Sequence, residues 1–362
     1  MTLPLDIQRV DAAPTLNRPQ EPKAPYPYLE EEVTVLNKSA GIELAGTFTK
    51  PNSGGPFSVV ILITGSGPQD RDEAIFGHRP FFVLADYLTR QGVAVLRMDD
   101  RGIGKSKGDF SKATSKDFAS DVLADIDYLK TRKDVNLKKI GLIGHSEGGM
   151  VAPMVAAQSK DVAFIVLMAG TGLTGEEILY LQGALIAKAN GASDSAVAKN
   201  RAGQEKIFLA LKQEEDDSAA VTKLRKVMQN SHDQLSEAEK KAIGDADAYI
   251  NVQIKQIISP WFRFFLTYDP MPALKQVKCP VLAINGELDL QVPPKENLAA
   301  IEQALQAGGN TKYTIKEFPK LNHLFQTAVT GSPSEYAKIE ETMSPDVLKF
   351  MGDWILELVS RL

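Results

Sequence analysis

A serine between glycines is the strongest chemical signal in this sequence. Ser146 is the central residue of GHSEG at residues 144–148. Residues 138–144 are short, apolar and β-branched, whereas residues 147–157 have the composition of a helix rich in small residues. A sharp turn from strand to helix lifts a serine hydroxyl clear of the sheet, so this pattern predicts a nucleophile elbow.

A serine hydroxyl is a poor nucleophile until a base takes its proton, so Ser146 needs a histidine. The sequence has four: His78, His145, His232 and His323. His323 follows the last predicted strand, where the base belongs when the chain order is serine, acid, histidine. His145 is expected to point away from the Ser146 hydroxyl, and His232 is expected to be solvated.

The acid should follow the strand before that histidine. Residues 285–294 (NGELDLQVPP) offer Glu287 and Asp289 there. We expect Asp289 at the apex of this turn, accepting a hydrogen bond from His323 Nδ1 and holding the reactive tautomer. Glu287 is the alternative.

An ester carbonyl that is attacked by serine develops negative charge and needs two N–H donors. One is expected from Glu147, directly after the nucleophile. The other should come from the Gly-rich turn at residues 64–68, with Ser66 preferred and Gly67 second. Gly-rich turns also bind phosphates, but the lysine spacing of a Walker motif is absent.

Alternating strands and helices predict the scaffold. Period-two patterns at residues 31–36 and 41–49 indicate an antiparallel pair that leads into a sheet. The remaining segments predict an α/β fold, a mostly parallel sheet with helices on both faces. The strands are expected at residues 57–64, 93–98, 138–144, 162–168, 281–285 and 312–318. The helices are expected at 79–91, after an N-cap at Ser115 and around 294–306, and a closing helix after the last strand is expected to run to Leu362.

Residues 172–278 lack a convincing strand and are expected to form an all-α insertion. Ser236 opens a capping box, which predicts one helix carrying Ile250, Ile254 and Ile257 as far as Ser259. Such an insertion follows the carboxyl end of a strand and should cover the site as a cap. The predicted organisation is therefore a segment 1–30, a core of residues 31–171 and 279–362, and a cap of residues 172–278.

Composition excludes several classes of protein. The 362 residues carry a net charge of −5, which leaves no electrostatic footprint for nucleic acid. No apolar run is long enough to span a membrane, and no metal-ligand spacing appears, so neither metal nor organic cofactor is expected. The single cysteine, Cys279, is expected as a small core residue in a strand. Oligomeric state cannot be read from the sequence.

The first 30 residues suggest a linker that follows an upstream domain. Residues 3–10 alternate like a lone strand, and residues 17–27 are Pro-rich and expected to be extended. No signal peptide is present as written. We therefore expect an upstream domain that this chain lacks and a periplasmic or secreted native form, with a cytoplasmic location as the alternative.

Four motifs together resemble a known family. Residues 65–72 (GSGPQDRD), 100–106 (DRGIGKS), 144–149 (GHSEGG) and 261–270 (WFRFFLTYDP) are similar to those of bacterial carboxylesterases with a helical cap. The resemblance runs from residue 31 to 362 and implies a serine hydrolase of the α/β-hydrolase fold. Relatives of this kind often carry a secretion signal and a β-rich domain. Thr64 stands where many such hydrolases have histidine, and its hydroxyl is expected to hold the turn instead.

Residues near these motifs are candidates for a substrate pocket. Arg71 and Arg101 either form salt bridges that fix their loops or meet a substrate charge, and His78 either contacts the pocket or decorates a loop. Aromatic residues at the end of the insertion either pack in the core or contact an acyl group. These are Trp261, Phe265 and Tyr268.

Together these features predict hydrolysis of small to medium carboxylic esters through an acyl-enzyme. The small-molecule ester is the only partner expected. Activity should fall as the pH drops through the pKa of the histidine, ordinarily about 6.5. One alternative is a serine exopeptidase or amidase that uses the same machinery. Another is a catalytically inactive hydrolase fold that binds a ligand.

Overall fold

The computed structural model describes residues 17–362, apart from the side chains of residues 238, 239 and 242. The strand predicted at residues 3–10 lies outside this range. Residues 17–27 contain neither helix nor strand, and Arg18 donates hydrogen bonds to the carbonyls of Ala337 and Ile339. Within the described residues, no helix is both long and apolar enough to cross a membrane.

Eight strands form a single sheet. They are β1 (Tyr28–Asn37), β2 (Ile42–Pro51), β3 (Phe57–Ile63), β4 (Ala94–Met98), β5 (Val135–His145), β6 (Val162–Met168), β7 (Val281–Gly286) and β8 (Tyr313–Phe318). Their order is β1-β2-β4-β3-β5-β6-β7-β8. The pairs β1–β2 and β2–β4 are antiparallel, and all other neighbours are parallel. The carboxyl ends of β5, β6, β7 and β8 therefore lie side by side.

The central strands are apolar on both faces. On β3, Val59, Ile61 and Ile63 belong to one buried cluster, and Val60 and Leu62 belong to the other. A strand covered on both sides has no polar face, which explains the continuous apolar run in the sequence. Each such side chain stabilises the fold by about 1.5–3 kcal/mol.

Helices cover both faces of the sheet, as predicted. On one face lie α1 (Pro80–Arg90) and α12 (Pro345–Arg361). On the other lie α2 (Ser115–Lys130), α3 (Glu147–Ala156) and α11 (Pro294–Ala307). Since α3 starts directly after β5, it fixes the backbone around Ser146 against the sheet.

Seven helices lie between β6 and β7, in residues 169–280, where the structure describes no strand. Their buried apolar side chains, which include Phe208, Leu224, Met228, Ile250 and Ile254, form a separate small cluster. The insertion thus has a core of its own. Its helices are α4 (Gly175–Ala189), α5 (Asp194–Lys212), α6 (Asp217–Asp233), α7 (Glu237–Ile243), α8 (Ala246–Ile257), α9 (Pro260–Thr267) and α10 (Met271–Gln276).

The single helix predicted from Ser236 to Ser259 is wrong, because the chain breaks it in two. Gly244 takes the left-handed conformation with φ +74° and ends the first helix. The side chain of Asp245 then accepts a hydrogen bond from Ala248 N and caps the second.

Two local expectations are also corrected. The N-cap of α2 is Thr114, whose N and Oγ1 both donate to Asp117 Oδ2, so Ser115 is the first helical residue. Cys279 lies before β7 and is only partly buried. Burial raises the pKa of its thiol to about 11.

Candidate active site

The backbone at Ser146 is strained in the way that the elbow pattern predicts. Ser146 precedes α3 with φ +53° and ψ −113°, a conformation that is costly for a residue with a Cβ atom. Its N–H donates to Met168 O at 2.8 Å on the neighbouring strand β6. The side chain is only partly buried, so the hydroxyl stands at the edge of the sheet.

The glycines of the motif are required by close backbone approach. A Cβ on Gly144 would lie 2.0 Å from Gly148 O, and one on Gly148 would lie 2.1 Å from Ile63 O. Real Cβ atoms do not come this close, so a side chain at either position would displace the turn.

His323 and Asp289 form a buried hydrogen-bonded pair. His323 Nδ1 lies 2.8 Å from Asp289 Oδ2, and Asp289 is 1% exposed. The other carboxylate oxygen, Oδ1, accepts from the backbone N–H groups of Gln291 and Val292 at 2.8 and 2.9 Å. The alternative acid, Glu287, accepts from Lys320 N instead. The geometry thus favours Asp289 as the partner of His323.

His145, the residue before Ser146, connects the elbow to the loop that carries His323. His145 Nε2 lies 3.0 Å from His323 O, and the two imidazole rings are 4.8 Å apart. Among the hydrogen bonds of the described residues, none joins the Ser146 hydroxyl to His323. Catalytic hydrogen bonds of this kind often tighten only when substrate is bound.

His145 is also paired with Glu73. Glu73 Oε1 lies 2.9 Å from His145 Nδ1 and accepts from Gly65 N at 2.7 Å. The other ring nitrogen faces a carbonyl oxygen, which can only accept, so both nitrogens face acceptors. Burial opposes charge on this ring, but the carboxylate outweighs it and raises the pKa of His145. The pair therefore joins the glycine-rich turn to the His323 loop.

The sequence did not reveal this pair. Acidic residues crowd the turn at residues 70–73, but nothing in the sequence indicates which of them reaches His145. The expectation that His145 points away from the Ser146 hydroxyl is consistent with both of its hydrogen bonds.

The turn after β3 is held by a second carboxylate. Thr64 Oγ1 donates to Asp100 Oδ1 at 2.7 Å, and Gln69 N donates to Asp100 Oδ2 at 3.0 Å. Thr64 thus holds the turn through its hydroxyl. Burial raises the pKa of Asp100 to about 7, with smaller contributions from the charges of Glu147 and Glu73.

One N–H of this turn is already used. Gly65 N is bonded to Glu73, whereas Ser66 N has no hydrogen-bond partner in the described part of the chain. Glu147 is the first residue of α3, and the first N–H groups of a helix lack an intrahelical acceptor. Ser66 and Glu147 therefore remain the candidate donors for an oxyanion, with Gly67 at the same turn.

The Glu147 side chain is buried between the elbow and the insertion. Its carboxylate accepts from Ser115 Oγ at 2.6 Å and from Trp261 Nε1 at 2.8 and 2.9 Å. Burial raises its pKa, against the lowering effect of Ser115, Trp261 and the Ser66 hydroxyl. The partners of the Glu147 side chain come from distant segments, so the sequence indicates a role only for its backbone N–H.

Aromatic residues of α9 lie beside this carboxylate. Trp261 and Phe265 are stacked with centroids 5.1 Å apart, and they pack with Met150 of α3 and Val292 of the loop that carries Asp289. Tyr268 packs on Phe264 at 5.1 Å. An apolar wall thus adjoins the elbow.

Two pocket candidates have partners of their own. Arg71 binds Asp99 at 2.8 Å and Glu32, which is the salt-bridge alternative. His78 is 1% exposed, with Nδ1 3.0 Å from Thr342 Oγ1 and Nε2 3.0 Å from Tyr336 O. Neither side chain has a partner in the apolar wall.

One further residue differs from its expectation, and another matches one of its two alternatives. His232 is not solvated, since its ring is 15% exposed and both ring nitrogens are buried. Arg101 binds Asp121 and Asp117, which is the salt-bridge alternative. In the described residues, no three His, Cys, Asp or Glu side chains are grouped so that they could hold a metal ion.

Comparison with known proteins identifies the family. The sequence profile of the X-Pro dipeptidyl-peptidase (S15) family matches residues 16–318. The chain belongs to this family. It is also 25% identical over 336 residues to esterase EstD of Thermotoga maritima, which covers 90% of this chain and 68% of that protein.

Solved structures share the fold. The Pyrococcus furiosus esterase Pf2001 has a TM-score of 0.53 at 16% identity and covers 92% of this chain and 91% of its own. Est1E from Butyrivibrio proteoclasticus, determined with ferulic acid bound, has a TM-score of 0.52 at 17% identity over 91% and 99%. The comparisons confirm the α/β-hydrolase fold, the resemblance to bacterial esterases and the expectation of an ester-hydrolysing enzyme.

Proposed function

We propose that the protein cleaves small to medium carboxylic esters through an acyl-enzyme formed on Ser146. The observation that carries this proposal is the buried His323–Asp289 pair, 2.8 Å apart, in the loops after β8 and β7 and beside the elbow. A histidine that donates Nδ1–H to a carboxylate presents a lone pair on Nε2, which is the state a general base requires.

The chemistry then follows from these groups. His323 Nε2 takes the proton of Ser146 as the hydroxyl oxygen attacks the ester carbonyl. The oxyanion accepts from Ser66 N and Glu147 N. The intermediate collapses, His323 gives its proton to the leaving alcohol, and an acyl-serine remains. Water then attacks that ester, again with His323 as base, and releases the acid.

The wall of α9 supports an apolar substrate group. Trp261 is partly exposed and packs in one cluster with the buried side chains of Phe265, Met150 and Val292, next to Asp289. Binding pockets for small molecules are mostly apolar with a few placed polar groups. We assign this wall to the acyl or alcohol chain of the ester.

Membership of a peptidase family favours a second candidate, a serine exopeptidase or amidase. The same nucleophile and base would serve, and the difference would be in the leaving group. The carboxylate of Glu147, the residue after the nucleophile, is 2% exposed and already bonded to Ser115 and Trp261, which leaves it poorly placed to bind a substrate amine. We therefore favour the ester.

A substrate panel tests the proposal. We expect the wild type to hydrolyse p-nitrophenyl acetate to octanoate, to act far more slowly on aminoacyl p-nitroanilides, and to be labelled by a fluorophosphonate probe. Ser146→Ala should lose labelling and about 10⁴-fold or more in kcat. Faster cleavage of the anilides would favour the exopeptidase. A wild type that is neither labelled nor active on either series would leave ligand binding as the function.

A further inference from the structure

One buried carboxylate connects the elbow to two other parts of the molecule. Glu147 is 2% exposed, and its oxygens accept from Ser115 at the start of α2 and from Trp261 of α9. Burial raises the pKa of this carboxyl, and the Ser66 hydroxyl of the glycine-rich turn is one of the groups that counteract the rise. The same residue begins α3 with a free backbone N–H.

The contact with Trp261 differs from that with Ser115, because it comes from the inserted helices. Trp261 Nε1 lies 2.8 Å from Oε1 and 2.9 Å from Oε2, so the indole N–H is shared between both oxygens. Its ring is stacked on Phe265, with centroids 5.1 Å apart and planes at 10°. Any displacement of this apolar wall therefore acts on the carboxylate.

We propose that Glu147 and Trp261 are positioning residues that couple the inserted helices to the oxyanion donor at the start of α3. When α9 packs against the elbow, the Trp261 N–H holds the Glu147 carboxylate, which in turn fixes the first residue of α3 and its backbone N–H. The insertion then contributes to the rate of acyl transfer as well as to substrate binding. This inference rests on the proposed function and names a coupling within that site.

Burial makes the coupling strong. A carboxylate withdrawn from water is tolerated only when donors surround it, and the loss of one donor leaves it undersatisfied. The carboxylate must then shift relative to its remaining donor, the Ser115 hydroxyl, to compensate. Because the oxyanion donors act on the transition state, a shift of a few tenths of an ångström appears in kcat rather than in KM.

Replacement of Trp261 by Phe removes the N–H and keeps an aromatic ring in the wall. We expect kcat for p-nitrophenyl butyrate to fall about 10-fold or more, with KM changed less than about threefold. The matched control is Trp354→Phe, which deletes the other indole N–H, bonded to Thr314 at 3.3 Å on the far side of the sheet. This control should keep the wild-type kcat.

Substitution of Glu147 supplies the second readout. Glu147→Gln keeps a carbonyl oxygen for the indole and an amide that can donate to serine oxygens, so kcat should stay within about threefold to fivefold. Glu147→Ala should lose about 10- to 100-fold in kcat. Glu147→Met fills similar space without a hydrogen-bonding group, so rescue by glutamine but not by methionine would show that the polar contacts, and not the filled space, maintain kcat.

The outcomes separate the inference from the function on which it rests. If wild type is inactive and unlabelled by fluorophosphonate, the proposed function itself is wrong. If wild type is active but Trp261→Phe matches Trp354→Phe in kcat, the coupling is refuted and esterase activity stands. A rise in KM with acyl-chain length at unchanged kcat would likewise refute it, since Trp261 would then be only a pocket wall.

Discussion

The two sides of the candidate site are built differently. On the base side, Asp289 holds His323 through one short hydrogen bond, and its second oxygen is fixed by two backbone N–H groups. On the oxyanion side, the turn at residues 64–69 is held by two carboxylates, Glu73 and Asp100, which accept from Gly65 N, Thr64 Oγ1 and Gln69 N.

This difference predicts which substitutions should reduce the reaction rate most. The base side is a series of single contacts, so the loss of one atom should stop proton transfer. On the oxyanion side several buried groups hold the turn together. Single substitutions there should therefore reduce kcat less, and should change the stability of the protein or its pH dependence more. Three substitutions test this contrast.

The largest effect is expected for Asp289→Asn. The Gln291 and Val292 N–H groups would keep the amide oxygen of the new side chain, which turns its NH₂ toward His323 Nδ1. His323 would then carry its proton on Nε2 and could not act as base, and kcat should fall about 10³- to 10⁴-fold. Steady-state kinetics on p-nitrophenyl butyrate measure this. Glu287→Gln is the control, and a comparable loss there would reverse the assignment of the acid.

A smaller effect is expected for Glu73→Gln. The amide oxygen can still accept from Gly65 N, but the charge that raises the pKa of His145 is lost. We expect kcat to fall about 3- to 10-fold and the free energy of unfolding to fall by about 1–3 kcal/mol. Urea titration and kinetics measure both. Glu43→Gln, on the exposed part of β2, should change neither kcat nor the free energy of unfolding. A loss of kcat above about 10³-fold for Glu73→Gln would contradict the inference that several groups hold the turn together.

The smallest effect on rate is expected for Asp100→Asn, which should change pH response instead. The pKa of Asp100 is raised to about 7 in the folded protein, so the folded state binds a proton that the unfolded state has released above about pH 4. Stability is therefore fully present below about pH 4 and is lost as the pH rises toward 7, by up to about 4 kcal/mol.

In Asp100→Asn this loss should be largely absent, which unfolding by urea at pH 5 and pH 8 would reveal. Asp127→Asn, an exposed carboxylate on α2, provides the control and should keep the wild-type pH dependence. An unchanged slope in Asp100→Asn would show that the carboxyl is ionised throughout, and the turn would then be held by charge.

Much of the scaffold could be predicted because its signals are local. The apolar run of β3, the alternation in β1 and β2, and the strand–serine–helix pattern at Ser146 are all written in consecutive residues. Chain order then indicated where His323 and Asp289 would meet, because parallel strands place their carboxyl ends at one edge.

The remainder depends on which way side chains point, which no local pattern carries. His78 and Arg71 follow the glycine-rich turn in sequence yet bind Tyr336 and Asp99 elsewhere. The Glu73–His145 pair has 71 residues between its members, and the Glu147–Trp261 contact crosses from core to insertion. Such contacts depend on how distant segments pack, so they cannot be predicted before the fold is known.

The position of Cys279 has a practical consequence. A thiol with a pKa of about 11 is almost entirely protonated at neutral pH, and the protonated form reacts slowly with maleimides and methanethiosulfonates. No other cysteine competes. Spin labels attached to new cysteines at exposed positions such as Leu209 on α5 and Leu137 on β5 would therefore report the separation of insertion and sheet without prior removal of the native thiol.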